Sequence, residues 1–197
     1  LFRSHFDLFE LKYKSNNNIK YTYNLDKYSS LNITKFYDVN ELNEDDIANL
    51  NGEYANIKYT LKTISNNIQT FNLELHHNNK NTISNVINSG VNINGSINFN
   101  VKGIVPKDMV DSELDQNNRI ITFNDNKCTI EPILLIDEND VVANHSALIG
   151  KFNDEELFYL KSRGIDEKSA TTLLVKGFLL SDLKDERLDK IIEKYWG

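Results

Sequence analysis

Short runs of alternating apolar and polar residues fill the chain from about residue 54 to residue 150. The clearest runs carry their apolar residues at Phe71, Leu73 and Leu75, at Ile97, Phe99 and Val101, and at Ile133 and Leu135. Alternation with a period of two is typical of strands with one buried face. The runs are short, and Asn, Gly or Asp separates them rather than helical segments. The pattern therefore predicts a mainly β body, for which a sandwich, a barrel and a solenoid all remain possible.

At Asn153 the pattern changes from alternation to helical spacing. Asn153 or Asp154 can cap a first helix that ends at Arg163 and Gly164, and Asp166 can cap a second helix. The predicted apolar stripes are Ala170, Leu173, Leu174, Gly177 and Phe178 on the second helix and Leu188, Ile191, Ile192 and Tyr195 on a third. Residues 151–197 are therefore predicted to form a small all-α domain, appended to a β core of residues 54–150.

Residues 1–53 give no comparable pattern, and the sequence leaves their structure unassigned. Residues 40–50 are polar and acidic, which predicts a short helix or a loop. Asn is abundant throughout, and either codon bias or turn formation would explain it. Because the first residue is Leu1 rather than Met, we expect a fragment, a processed form or a sequence that lacks disordered loops.

Composition narrows the possible classes of function. The net charge is −7, and this acidic excess does not favour binding to nucleic acid. A single cysteine, Cys128, excludes an internal disulfide and favours a reducing compartment. The sequence contains neither an apolar run near the roughly 18 residues of a membrane span nor a leader-like N-terminal segment. We therefore expect no membrane as a partner.

The usual signatures of a free-standing enzyme are missing. No Gly-rich phosphate loop precedes Gly150 and Lys151, so no ATP site is expected. The nucleophile elbow, the zinc-binding helix and the Cys-x-x-Cys pair are also absent from the sequence. A polysaccharide-acting β-solenoid enzyme would need aligned carboxylates on an exposed sheet face. The acidic residues lie mostly in predicted turns, such as Asp137, Glu138 and Asp140, so this enzyme is kept only as an alternative.

Histidines and the cysteine are the candidate ligands. His76 and His77 would point to opposite faces of a strand, and their Asn neighbours predict a position near solvent. His5 has no informative context. His145 lies in an apolar β segment, where a hydrogen-bonded structural role and a ligand role both fit. Cys128 fits a small buried hydrophobe as well as a ligand, so neither residue makes a site by itself.

Three segments together resemble the SufB/SufD family of iron–sulfur cluster assembly scaffolds. Residues 158–165, Phe-Tyr-Leu-Lys-Ser-Arg-Gly-Ile, resemble the family's C-terminal signature Phe-Tyr-Leu-Arg-Ser-Arg-Gly-Ile. Residues 132–147 resemble the SufD-type stretch that ends in Asp-Asp-Val-x-Cys-Ser-His-Gly-Ala. Residues 116–119, Gln-Asn-Asn-Arg, resemble the family's Gln-x-x-Arg. The resemblance runs from about residue 73 to residue 178 and is closer to SufD.

This resemblance implies a right-handed parallel β-helix core with a C-terminal helical domain. It also implies that the helical domain docks a SufC-type ABC ATPase and that two β-helix subunits pair through their C-terminal strands. The expected docking residues are Phe158, Tyr159, Leu174 and Phe178, because three short helices bury less apolar surface than these segments carry. Some of these side chains are also expected to cap the end of the β-helix.

The resemblance places His145 on the family's assembly histidine, as an iron ligand or a group close to the cluster, and Cys128 on a cysteine of less certain role. Two departures are visible: Ala143 stands where SufD-type chains carry Cys, and Ser146 stands where they carry Gly. Clusters are usually held by four thiolates. One cysteine cannot supply them, so the chain is expected to contribute His145 to a transient iron–sulfur cluster at a subunit interface.

The expected function is therefore that of a scaffold subunit and not of an enzyme. It would pair with a SufB/SufD-type paralogue or with a second copy of itself. A structural paralogue without a cluster role remains an alternative. The resemblance implies a cytoplasmic location, or a plastid-type organelle.

Overall fold

The chain winds into a parallel β-solenoid, here in a computed structural model that describes residues 4–13, 17–181 and 183–196. Counted along the chain, the odd-numbered strands form a six-stranded sheet and the even-numbered strands form a five-stranded sheet, and each sheet follows the order of the sequence from one edge to the other. Consecutive strands thus lie in opposite sheets, and every pair within a sheet is parallel. The prediction of a mainly β, parallel-helical fold is confirmed.

The strands are β1 Ser4–Tyr13, β2 Asn17–Leu25, β3 Ser29–Asp38, β4 Leu42–Leu50, β5 Asn56–Ser65, β6 Ile68–His77, β7 Ile83–Asn92, β8 Ser96–Val105, β9 Ser112–Thr122, β10 Thr129–Ile136 and β11 Val141–Gly150. Alternate side chains enter the lumen between the two sheets, as the period of two predicts. The rings of Phe71 and Phe99 pack there at a tilt of 51°, with their centroids 5.7 Å apart. The core is therefore the lumen itself, where apolar side chains from both sheets meet.

The region before residue 54 is part of the solenoid. The expectation of a short helix or loop at residues 40–50 was wrong, because β4 occupies Leu42–Leu50. Its lumen-facing positions include Glu44 and Asp46, which are 1% and 2% exposed. These two carboxylates interrupt the apolar alternation, and this is why the sequence pattern failed there.

Many of the asparagines form amide ladders between successive coils. Asn49 donates to Asn24 at 2.9 Å, and Asn100 donates to Asn72 at 2.7 Å. A ladder inside the lumen joins Asn88 to Asn118 at 2.8 Å. Stacked in-register strands bring identical amides together, so the abundance of Asn has a structural use beyond turns.

Three helices follow the solenoid: α1 Asp154–Ser162, α2 Glu167–Leu180 and α3 Glu186–Trp196. Asn153 and Asp166 cap α1 and α2 as predicted, and Gly164 takes the left-handed conformation (φ 86°) after α1. The predicted stripe on α2 was wrong in part. The helix buries Ala170, Val175 and Leu179, whereas Leu173 is 48% exposed.

The helices lie on the outer face of the six-stranded sheet. Val175, Leu179, Leu188 and Ile192 pack on Phe36, Ile64 and Val91 of β3, β5 and β7 in one apolar cluster. Lys194 and the Tyr195 hydroxyl both bind the buried carboxylate of Asp38. The expectation that the helical residues cap the end of the solenoid is therefore not met by this cluster. Among the described residues no helix is long and apolar enough to cross a membrane.

Candidate functional site

The last coil leaves one edge of each sheet open. β10 ends the five-stranded sheet and β11 ends the six-stranded sheet, with no further strand beyond them in the described part of the chain. Their outward faces carry Ile133, Leu135, Val142 and Leu148, which are 39%, 51%, 58% and 48% exposed. Open edges with exposed apolar side chains are surfaces on which another β structure can pair.

His145 lies in the middle of this open edge. In β11 it pairs in register with Gln116 of β9, which pairs in turn with Val86 of β7. Because paired residues of parallel strands face the same side, His145 stands on the lumen side, at the top of a column of buried side chains. The imidazole is exposed, and its neighbours on this face are Ala143 and Ala147, which are small.

Gln116 is the first residue of the Gln-x-x-Arg motif, to which the sequence assigned no function. It is 1% exposed and reaches across the lumen, so that a Cβ placed on Gly103 would lie 3.2 Å from its Nε2. Gly103 therefore makes room for the side chain of Leu114, whose Cδ2 would be 2.6 Å from that Cβ, and for the Gln116 amide beside it. Only the strand register puts this amide directly beneath His145.

Cys128 occupies a different environment. It is 8% exposed, belongs to the apolar core, and its Sγ accepts the backbone N–H of Ile97 at 3.4 Å. Burial raises the pKa of the thiol. A thiol that is buried and held protonated is a poor metal ligand, because the thiolate is the form that binds metal.

The described residues contain no group of three His, Cys, Asp or Glu side chains that could hold a metal ion. An iron atom at His145 would consequently need ligands from outside this part of the chain. The open edge around His145 leaves space for a second chain to supply them.

The other histidines have structural surroundings. His77 was expected near solvent, and this was wrong: it is fully buried, with Thr82 Oγ1 2.8 Å from Nδ1 and Ser84 Oγ 2.9 Å from Nε2. Burial lowers the pKa of His77 to about 4, so the ring is neutral at pH 7. His76 points the other way and lies 3.2 Å from Glu74, as expected for adjacent strand residues.

A buried charged cluster occupies the opposite end of the lumen. Lys35 Nζ donates to Glu44 at 2.6 Å and to Asp46 at 2.5 Å, and the Tyr59 hydroxyl donates to Asp46 at 2.8 Å. Burial raises the pKa of both carboxyl groups. This cluster was not predicted from the sequence, because aligned carboxylates were expected on an exposed face, whereas Glu44 and Asp46 alternate within a strand and face inward.

The helices carry a second exposed apolar surface. Phe158 and Tyr159 of α1 are 74% and 56% exposed, and α1 buries none of its residues. Leu174 is half-buried and lines shallow grooves on both sides of α1. Phe178 is half-buried, because its ring packs against Phe152 and beneath the Arg119 guanidinium. Of the four predicted docking residues, Phe158 and Tyr159 are thus the most available.

Comparison with known proteins agrees with these features. The family model of the SUF system FeS cluster assembly, SufBD core domain, matches residues 5–178. The iron–sulfur cluster assembly protein SufD of Bacillus subtilis is 30% identical over 130 residues, which are 65% of this chain and 30% of that protein. An iron–sulfur cluster assembly SufBD family protein of Pyrococcus horikoshii is 48% identical over 61 residues, 31% of this chain and 13% of that protein.

SufD of Escherichia coli is 35% identical over 75 residues, which are 36% of this chain and 18% of that protein. The chain therefore matches less than a third of the length of each of these three relatives.

Proposed function

The chain belongs to the SufBD family of iron–sulfur cluster assembly proteins, and from that premise we propose that it is a scaffold subunit that pairs through its last coil and docks an ATPase through its helices. The observation that carries this proposal is the position of His145, a ligand-type side chain, on an open strand edge whose outward face carries exposed apolar residues. The family supports a role in cluster assembly. Pairing, docking and the role of His145 are the proposed parts.

The proposed pairing surface consists of the outward faces and free edges of β10 and β11. Its apolar side chains Ile133, Leu135, Val142 and Leu148 are exposed in the single chain. A second SufBD-type chain, either a paralogue or another copy, would bury them and satisfy the unpaired backbone groups of both edges.

His145 would then contribute one ligand to a cluster completed by the partner. Imidazole replaces thiolate on iron in some natural clusters, so a single nitrogen ligand is a chemically reasonable contribution from this chain to a shared cluster. Cys128 was the second expected ligand. Its burial and raised thiol pKa favour a packing role for it, so His145 is the proposed site residue.

The proposed docking surface for a SufC-type ATPase consists of Phe158, Tyr159 and Leu174. Aromatic residues at the centre of an interface often carry much of the binding energy. Phe158 is exposed, so replacing it should leave the fold intact and affect only binding. The proposed division of work gives ATP hydrolysis to the partner and cluster assembly to this chain.

The docking proposal is tested by co-expression with the cognate SufC-type ATPase and measurement of the complex mass by light scattering. Phe158→Asp and Leu174→Asp are expected to abolish the complex, whereas Lys168→Asp, a charge change at an exposed position of α2, should leave it intact. Complexes of equal mass and stability in all four proteins would contradict the docking surface.

The cluster proposal is tested on the same complex with a SufBD partner present. His145→Ala should lower the iron and sulfide retained after desalting, and Asn144→Ala, on the outward face of the same strand, should not. If His145→Ala retains as much iron and sulfide as the wild type, the chain is a structural paralogue that only builds the complex. A polysaccharide-acting enzyme is not favoured, since Glu44 and Asp46 are buried against Lys35 where a polymer cannot reach.

A further inference from the structure

Two buried amides lie directly below the last coil with polar atoms that have no partner. Both Oε1 and Nε2 of Gln116, and Nδ2 of Asn118, lack a hydrogen-bond partner among the described residues. The two residues are 1% and 0% exposed. A buried polar group without a partner costs about 1–3 kcal/mol, so this arrangement requires a physical explanation.

The register shows why Asn118 has an unused donor. Its Oδ1 accepts from Asn88 of the coil below, so one half of the amide belongs to a ladder inside the lumen. The next position in that column is Ala147 of β11, which has no polar side chain. The ladder therefore stops one coil short of the open end, and Nδ2 is the donor left over.

Gln116 occupies the neighbouring lumen position on β9, two residues away, with His145 as its partner on β11. Adjacent parallel strands lie about 4.8 Å apart. The amides of Gln116 and Asn118 thus lie one strand spacing below the plane of His145. Their paired positions on β11 are His145 and Ala147, and Leu134 of β10 also lies near the Gln116 amide, since its Cδ2 and Gln116 Nε2 would both be 3.2 Å from a Cβ placed on Gly103. We call these two amides the polar floor.

We propose that the polar floor holds the sulfide and the imidazole of the nascent cluster site, an inference that rests on the proposed function. In the assembled site, Gln116 Oε1, which has no partner in the described part of the single chain, accepts the N–H of the His145 ring; this bond fixes the tautomer and leaves the other ring nitrogen for iron. The amide nitrogens of Gln116 and Asn118 donate to sulfide of the cluster under assembly. Both are neutral donors, and hydrogen bonds to the sulfur atoms are among the factors that set cluster potentials.

Gln116 is a positioning residue in this scheme, so its test needs a readout that packing alone would not change. Gln116→Met keeps the length of the side chain and removes both amide atoms. Asn117→Leu, on the exposed outward face of the same strand, is the matched control. Both variants are studied as the complete complex with a SufBD partner and the ATPase, with urea unfolding as a check that each one folds.

The expected result for Gln116→Met is a roughly 10–100-fold loss of Fe(II) affinity, less sulfide per iron, and a cluster reduction potential more negative than that of the wild type. Asn117→Leu should match the wild type in all three. Wild-type affinity, sulfide content and potential in Gln116→Met would overturn the inference.

The His145→Ala variant separates this failure from that of the proposed function. If His145→Ala loses iron while Gln116→Met behaves as wild type, only the polar floor is wrong. If His145→Ala keeps its iron, the proposed cluster site is wrong, and the polar floor is wrong with it.

Discussion

The two ends of the lumen differ in how their buried polar groups are paired. At the N-terminal end Lys35, Glu44 and Asp46 are charged groups that each have a partner within the chain, although Asp46 Oδ1 has none. At the C-terminal end Gln116 and Asn118 are neutral, and three of their polar atoms have no partner among the described residues. At the first end the charged groups find their counter-charges within the chain, and the atoms without a partner in the part of the chain that the structure describes are Asp46 Oδ1 and the neighbouring Tyr23 hydroxyl. The second, next to the open edges, has the composition expected of a surface completed by something else.

Removing the lysine should produce the largest effect on stability. Lys35→Met removes the counter-charge of Asp46 and leaves Glu44 with only the more distant Lys12 at 4.0 Å, and breaking a buried ion pair in this way costs about 3–5 kcal/mol. Urea unfolding followed by circular dichroism measures the loss. Lys58→Met on the neighbouring strand is exposed and should change stability by less than about 0.5 kcal/mol. Equal midpoints for both variants would mean that the charged cluster does not stabilise the fold.

Acidification should produce the next largest loss of stability. It acts through His77, which lies between the two ends of the lumen. Its folded pKa is lowered to about 4, so its contribution to stability is complete above the unfolded value of 6.5 and is lost as pH falls toward 4. The shift corresponds to about 3 kcal/mol. His77→Gln should therefore flatten the decline of stability between pH 7 and pH 4.5, measured as urea midpoints.

His76→Gln is the matched control for that titration, because His76 lies on the outward face and its ring is part-buried against Glu74. Its decline should parallel that of the wild type. A wild-type slope in His77→Gln would contradict the neutral, buried state of this ring.

The smallest expected effect is a change in stability at Gln116. Its sign is opposite to that of Lys35→Met, because Gln116→Met is expected to stabilise the fold or leave it unchanged. Gln116→Met in the isolated chain removes two unpartnered polar atoms at nearly constant shape. It should leave the free energy of unfolding unchanged or raise it by up to about 2 kcal/mol. A loss of more than about 1 kcal/mol, measured by the same urea titration, would show that Gln116 is satisfied within the single chain.

The secondary structure of the molecule was easier to predict from the sequence than the side chains that fill its lumen. The alternation at Ile97, Phe99 and Val101 predicted a strand correctly, because a strand with one buried face needs an apolar residue at every second position. Glu44 and Asp46 broke that period, since a carboxylate paired with Lys35 can fill a core position as an apolar residue does. The helix caps at Asn153 and Asp166 were predictable because capping is a local interaction.

The candidate site was only partly predictable for the same reason. His145 could be named through its motif, but its place above Gln116 depends on pairing between strands 29 residues apart, which no local pattern contains. His77 was misjudged because its neighbours in sequence are polar while its neighbours in space are Thr82 and Ser84. Which face of a helix is buried likewise depended on the sheet beneath it, so the stripe on α2 was misplaced.

The attachment of α3 to Asp38 has a consequence for the order in which the protein can fold. Each coil of a solenoid touches only its neighbours, so coils can form one after another as the chain is synthesised. Lys194 and Tyr195, however, bind a carboxylate more than 150 residues earlier. The early coils acquire their outer apolar layer only after α3 has been synthesised, and its docking then joins coils that formed one after another into one cooperative unit.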